Sequence, residues 1–114
     1  MENLLIERIQ NTLILHSSGL MTYESISTIQ SQIDEALSSN NQHSVVWDLS
    51  GVTFVDSSGI GLLLACNTNC HNIGLSFHIY RPSEEVKRIL SIVKMKDYFQ
   101  IIEDETELMM ILPD

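Results

Sequence analysis

Asp56-Ser57-Ser58 places three oxygen-bearing side chains in a row, followed by Gly59 and an almost wholly apolar run from Ile60 to Cys66. Ile60, Leu63, Leu64 and Asn67 recur at spacings of three and four, which predicts a buried helix with the acid and both serines at its N-terminus. Small oxygen acceptors at such a position take up amide hydrogens that the first turn leaves unpaired, and capping is one ordinary role for Ser58. The other role is chemical. A phosphate added to a hydroxyl here would meet free N–H groups and the positive end of the helix, while Asp56 would oppose it by like-charge repulsion.

Other chemistries fit the sequence less well. The flanks of the serines, Val55-Asp56 and Gly59-Ile60-Gly61, do not form the Gly-x-Ser-x-Gly elbow of a hydrolase. His16, His43, His71 and His78 are scattered over separate elements, so a Ser-His-Asp site is not indicated. Gly59-Ile60-Gly61 lacks both the dinucleotide fingerprint and the lysine of a phosphate loop, and packing of the helix start against neighbouring backbone explains both glycines more simply. Cys66, Cys70 and His71 have no second ligand pair for a metal, and the cysteines read as small core and helix-end residues. Neither a cofactor nor a metal is expected.

The serines must be positioned by strands and helices, and the flanking sequence supplies them. Leu4 to Gln10 and Thr12 to His16 read as a short hairpin turning at Gln10-Asn11 and closed by Ser17-Ser18-Gly19. Thr22 can cap a helix with Tyr23, Ile26, Ile29, Ile33 and Leu37 on one stripe, stopping within Ser38 to Asn41. Val45 to Trp47 is a buried strand expected to end where Ser50-Gly51 turns the backbone, and Val52 to Val55 is a second short β-prone piece. Asn69 to Gly74 is a polar break before the strand Leu75 to Tyr80.

Pro82 then ends that strand, and Ser83-Glu84-Glu85 opens a helix whose inward stripe is Val86, Ile89, Leu90 and Val93. Tyr98 to Ile102 is a final strand, and a last helical stretch runs through Leu108, Ile111 and Leu112. Met109 and Met110 suit either core filling or an adaptable surface. The order β-β-α-β-α-β-α-β-α predicts an α/β fold: a mostly parallel sheet of about five strands, opened by a hairpin and covered by about four helices. Gly19 to Thr22 and Ser50 to Ser58 should lie at the carboxyl edge of that sheet, where function usually gathers.

With 114 residues the chain is read as one domain, residues 1–114, with a core that needs no disulfide or metal. Fifteen acids against six bases give a net charge of -9, which disfavours nucleic acid as a ligand and suits a partner with a basic patch. Arg81, Lys87, Arg88, Lys94 and Lys96 carry five of the six basic residues and form a local positive region. The apolar runs are too short to span a bilayer and the N-terminus has no signal-peptide pattern, so a cytoplasmic protein without membrane insertion is expected.

The pattern Val46-Trp47-Asp48-Leu49-Ser50-Gly51-Val52, with Phe54-Val55-Asp56-Ser57-Ser58-Gly59-Ile60-Gly61, resembles the signature of the STAS domain family, typified by bacterial anti-sigma factor antagonists. Ser18-Gly19 and Ser83 to Leu90 extend the resemblance over almost the whole chain. It implies a non-enzymatic regulator that binds an anti-sigma factor or related serine kinase when unmodified, is released on phosphorylation of Ser58, and is restored by a PP2C-type phosphatase. It also implies a partner surface on Thr22, Asp56, Ser57, Ser58, Gly59 and Ile60. In one place the sequence departs from the family: Gly19-Leu20-Met21-Thr22 stands where antagonists usually have Gly-Glu-Leu-Asp, so Thr22 replaces the aspartate that neighbours the serine. An accessory subunit of a lipid-transporting ABC system is the alternative reading, and a small serine hydrolase a third.

Overall fold

The computed structural model describes residues 4–38 and 42–112. The elements run β1 (Leu4–Ile9), β2 (Thr12–Met21), α1 (Tyr23–Leu37), β3 (Ser44–Val55), α2 (Ser57–Asn72), β4 (Ser76–Tyr80), α3 (Glu84–Ile92), β5 (Ile101–Ile102) and α4 (Glu105–Ile111). They form one five-stranded sheet in the order β1-β2-β3-β4-β5, antiparallel between β1 and β2 and parallel thereafter. The predicted α/β class and element order are both present. Part of the predicted stop of the first helix, residues 39–41, lies outside the described residues.

Sequential strand order decides where the helices go. Crossovers of one hand between strands that advance in one direction all return over the same face. The residues of α1, α2 and α3 accordingly share one core with Leu13, Leu15, Val45, Trp47, Leu49, Phe77 and Ile79. The alternate positions Ile14, Val46, Tyr80 and Ile102 face the other way and pack under Leu108 of α4. Val45 to Leu49 is buried without a break because both faces of the sheet are covered there.

Ser50-Gly51 does not turn the chain. It lies inside β3, which runs unbroken to Val55, and β2 likewise continues through Ser17-Ser18-Gly19 to Met21. The register explains why. His16 pairs with Asp48, Ser18 with Gly51, Gly19 with Val52 and Leu20 with Phe54, so β3 carries one extra residue at each of two bulges. At Gly51 a Cβ would come within 3.0 Å of Ser18 Cβ and 3.1 Å of the Ser17 carbonyl oxygen, so close strand approach is what needs glycine there. Gly19 adopts φ 77° beside the second bulge.

Other expectations shift at their edges. α2 continues through Asn69 to Asn72, and Gly74 with φ 84° follows it. Tyr98 and Phe99 precede β5, which is only two residues long. Tyr23 and Val93 are not on inward stripes: they are 75% and 45% exposed. Met109 and Met110 are exposed as well, which decides against core filling. No helix among the described residues is long and apolar enough to cross a membrane.

Candidate functional site

β4 stops at Tyr80, where Arg81 takes φ 47° and Pro82 follows. The register of β3 with β4 therefore ends at Asp48, and beyond it β3 pairs only with β2. The last turns of β2 and β3 form a two-stranded arm, and its carboxyl end carries the starts of α1 and α2. This is the edge predicted to be functional, although Ser50 to Val55 reaches it as strand and not as loop.

Asp56 organises the tip. Its Oδ1 accepts from the Gly59 amide at 3.0 Å, capping α2, and its Oδ2 accepts from the Tyr23 amide at 3.1 Å, closing the first turn of α1. One carboxylate thus ties two helix N-termini together. The Gly59 amide, followed by those of Tyr23 and Ser58, holds the Asp56 carboxyl below its ordinary range. The Asp56 amide in turn donates to the Met21 carbonyl. Thr22 stands at the N-cap of α1 as predicted, in a capping box with Ser25, whose Oγ accepts from the Thr22 amide at 3.1 Å.

Because Asp56 caps α2, the serines do not. Ser57 is exposed and Ser58 is half-buried, both in the first turn of α2, and neither hydroxyl makes a hydrogen bond among the described residues. The amides of Ser58 and Gly59 are already directed at the Asp56 carboxylate. The expectation that a phosphate on Ser58 would settle onto free helix amides is corrected accordingly: the Asp56 carboxylate already accepts from those of Ser58 and Gly59.

Gly59 and Ile60, expected on the partner surface, are both buried. Ile60 is 7% exposed and belongs to the core. A Cβ on Gly59 would overlap the Met21 carbonyl oxygen and lie 2.6 Å from Val55 Cγ2, so this glycine lets α2 lie against the arm. The same reading fails for Gly61, whose Cβ would meet nothing within 4 Å.

Apolar side chains around the serines went unnoticed in the sequence. Leu20 and Phe54 are cross-strand partners on the arm, 51% and 45% exposed, and Tyr23 is more exposed still. Met21 and Val55, the next pair, point into the core. The extra residue Thr53 resets the alternation and turns Phe54 outward. No local signal announces such a shift.

A second missed cluster lies at the base of the arm, where β3 still pairs with β4. His16 Nδ1 is 2.7 Å from Asp48 Oδ2 and His16 Nε2 is 2.9 Å from Glu7 Oε1, joining β3, β2 and β1. Carboxylates at both ring nitrogens suit an imidazolium that donates twice. Burial lowers the His16 pKa, but the hydrogen bonds to Glu7 and Asp48 outweigh it and leave it raised above 6.5. Burial likewise raises Asp48, and the Ser50 amide and hydroxyl with His16 more than reverse that. Polar residues within two apolar strands were the available signal.

The remaining histidines do not converge on the serines. His78 is half-buried and held below 6.5 by burial and by His71. Cys66 and Cys70 are free and buried in the core, and hydrogen bonding to Cys70 and burial push the Cys66 thiol well above its ordinary range.

The STAS domain family matches residues 3–108 of the chain. An anti-sigma F factor antagonist from Lysinibacillus sphaericus is 22% identical over 80 residues, covering 70% of this chain and 68% of the relative. An anti-sigma factor antagonist from Mycobacterium paratuberculosis superposes with a TM-score of 0.81 at 17% identity, covering 97% of this chain and 93% of its own. The phosphorylated form of the Bacillus cell fate determinant SpoIIAA does so with a TM-score of 0.73 at 16% identity, covering 96% and 99%. At these identities the structural likenesses establish the fold.

Proposed function

This chain belongs to the STAS domain family, and we propose that it is a partner-switching regulator of the anti-sigma-factor-antagonist type. Unmodified, it binds an anti-sigma factor or related serine kinase in the cytoplasm through the tip of the β2–β3 arm. The partner phosphorylates Ser58 and releases it, and a PP2C-type phosphatase restores the binding form. No catalysis is required of this chain.

The observation that carries this reading is the division of labour at the start of α2: Asp56 caps the helix, leaving the Ser58 hydroxyl unbonded and half-buried at the surface. A serine needed for capping would resist modification, because phosphorylation would remove the cap. Leu20, Phe54 and Tyr23 support the same reading, since exposed apolar side chains beside the hydroxyl provide area for a protein partner. A likeness to a protein that exists in a phosphorylated form is consistent with it.

Phosphate at Ser58 acts by charge. It brings about two negative charges next to Asp56, whose carboxylate already holds the local amides, so the modified tip has few internal partners for it. A partner surface shaped for a neutral hydroxyl would then face an unmatched dianion.

Affinity copurification from the native cell with mass spectrometry tests the proposal. A kinase-like partner and a single phosphate on Ser58 are expected, with Ser58→Ala retaining the partner and losing the phosphate. Phosphorylation should weaken the complex by about tenfold or more, equal to about 1.4 kcal/mol. Equal partner affinity of the modified and unmodified chains would sink the reading.

A further inference from the structure

A recess of about 560 Å³ lies between α3 and β5, and none of the serine-tip residues lines it. The strand beside it, β5, is only two residues long. Its floor is apolar, formed by Pro82, Leu90 and Ile101. Its walls are not: three of the six basic residues of a chain with net charge -9, Lys87, Arg88 and Lys96, line this one place.

The cations differ in how firmly they are engaged. Arg88 forks onto Glu85 at 3.0 and 3.1 Å. Lys87 lies between Glu84 at 3.7 Å and Glu103 at 3.6 Å, both well exposed, and such water-facing pairs are weak enough to open for another anion. Lys96 has no ion-pair partner among the described residues. Ser91 lines the recess as well.

We propose that this recess binds a small amphiphilic anion, a phosphate monoester or carboxylate carried on an apolar body. The volume is that of an ordinary small-molecule site, and the combination of apolar floor and a few polar groups is what such sites present. An inorganic anion would leave the floor uncovered, and a neutral apolar molecule would leave Lys96 unmatched. Glu84 and Glu103 line the recess as well, so three cations face two carboxylates there, a balance that suits one small anion better than an extended polyanion, which the net charge of -9 also disfavours. The inference stands apart from the reading of Ser58.

Amide chemical-shift titration of the full chain with naphthyl phosphate and with naphthoate tests it, with inorganic phosphate and naphthol as control ligands. At least one of the two organic anions should bind with a Kd of about 1 mM or tighter, shifting amides within residues 82–91, 96 and 101–103. Affinity should drop on raising salt to about 0.3 M, and Lys96→Glu should weaken it about threefold or more. Lys96 is exposed, so at physiological salt this variant should keep a melting temperature close to that of wild type; Lys96→Gln serves as the milder second variant. Absence of saturable binding would overturn the proposal. So would shifts centred on residues 56–60, naphthol binding as tightly as the anions, or affinity unchanged in both Lys96 variants.

Discussion

Two glycines in the first two turns of α2 have opposite roles, and substitution separates them. Alanine at Gly61 meets open space, so the gain in helix propensity should stabilise the fold by about 0.8 kcal/mol. At Gly59 the same propensity gain is outweighed, because the new methyl would overlap the Met21 carbonyl and crowd Val55; forcing α2 off the arm should cost about 2 kcal/mol net. Urea denaturation of the two variants should therefore move the midpoint in opposite directions, and a stabilising Gly59→Ala would remove the packing account of the tip. The arm is anchored by another residue-level contact: the buried Trp47 indole N–H donates to Ser17 Oγ at 2.7 Å. Ser17→Ala leaves that donor unpaired in the core and should cost about 2 kcal/mol. A cost near zero by the same measurement would mean the indole finds another acceptor.

Among the elements, the three strands β1, β2 and β3 are clasped by His16, and the clasp responds to pH. His16 has a folded pKa above the ordinary 6.5, so the stability it contributes is fully present below 6.5 and lost as pH rises through the folded value. Asp48 has a folded pKa below 3.8, so its contribution is present above 3.8 and lost as pH falls through that lower value. The clasp should thus be strongest between about pH 4 and pH 6.5. Denaturation curves of wild type and His16→Gln across pH should differ most in that window and converge above it. A difference that grows between pH 6.5 and pH 8 would contradict the imidazolium assignment. These same strands show where sequence reading reaches its limit. Local periodicity found the helix after Asp56 and the hairpin before it, because helix and strand spacing are properties of consecutive residues. The bulges opposite His16–Ser18 and Gly19–Leu20 depend on how β3 lies against β2, which consecutive residues do not encode. From that one unknown followed the misplaced end of β3, the unnoticed outward turn of Phe54 and the missed His16–Asp48 pair.

For the whole molecule, charge is distributed unevenly. Five of six cations fall between Arg81 and Lys96, and the described ion pairs of lysine and arginine all involve α3. Those pairs take up three of the fifteen acids, Glu84, Glu85 and Glu103, and at net -9 the folded chain repels itself. Salt acts on both effects in opposite directions: it weakens the α3 pairs and screens the repulsion. The pairs are exposed and contribute little, whereas the repulsion is summed over the surface and is screened once the Debye length falls to about 8 Å at physiological ionic strength. Screening should win. Raising sodium chloride from about 0.01 M to about 0.15 M should stabilise the fold by about 0.5–1 kcal/mol, read as a melting temperature higher by about 2–4 °C. The Lys96→Glu chain, with the net charge made more negative, should gain more from the same salt than wild type. A wild-type melting temperature that falls with salt would show that the α3 pairs, and not the surplus acids, dominate the electrostatics of folding.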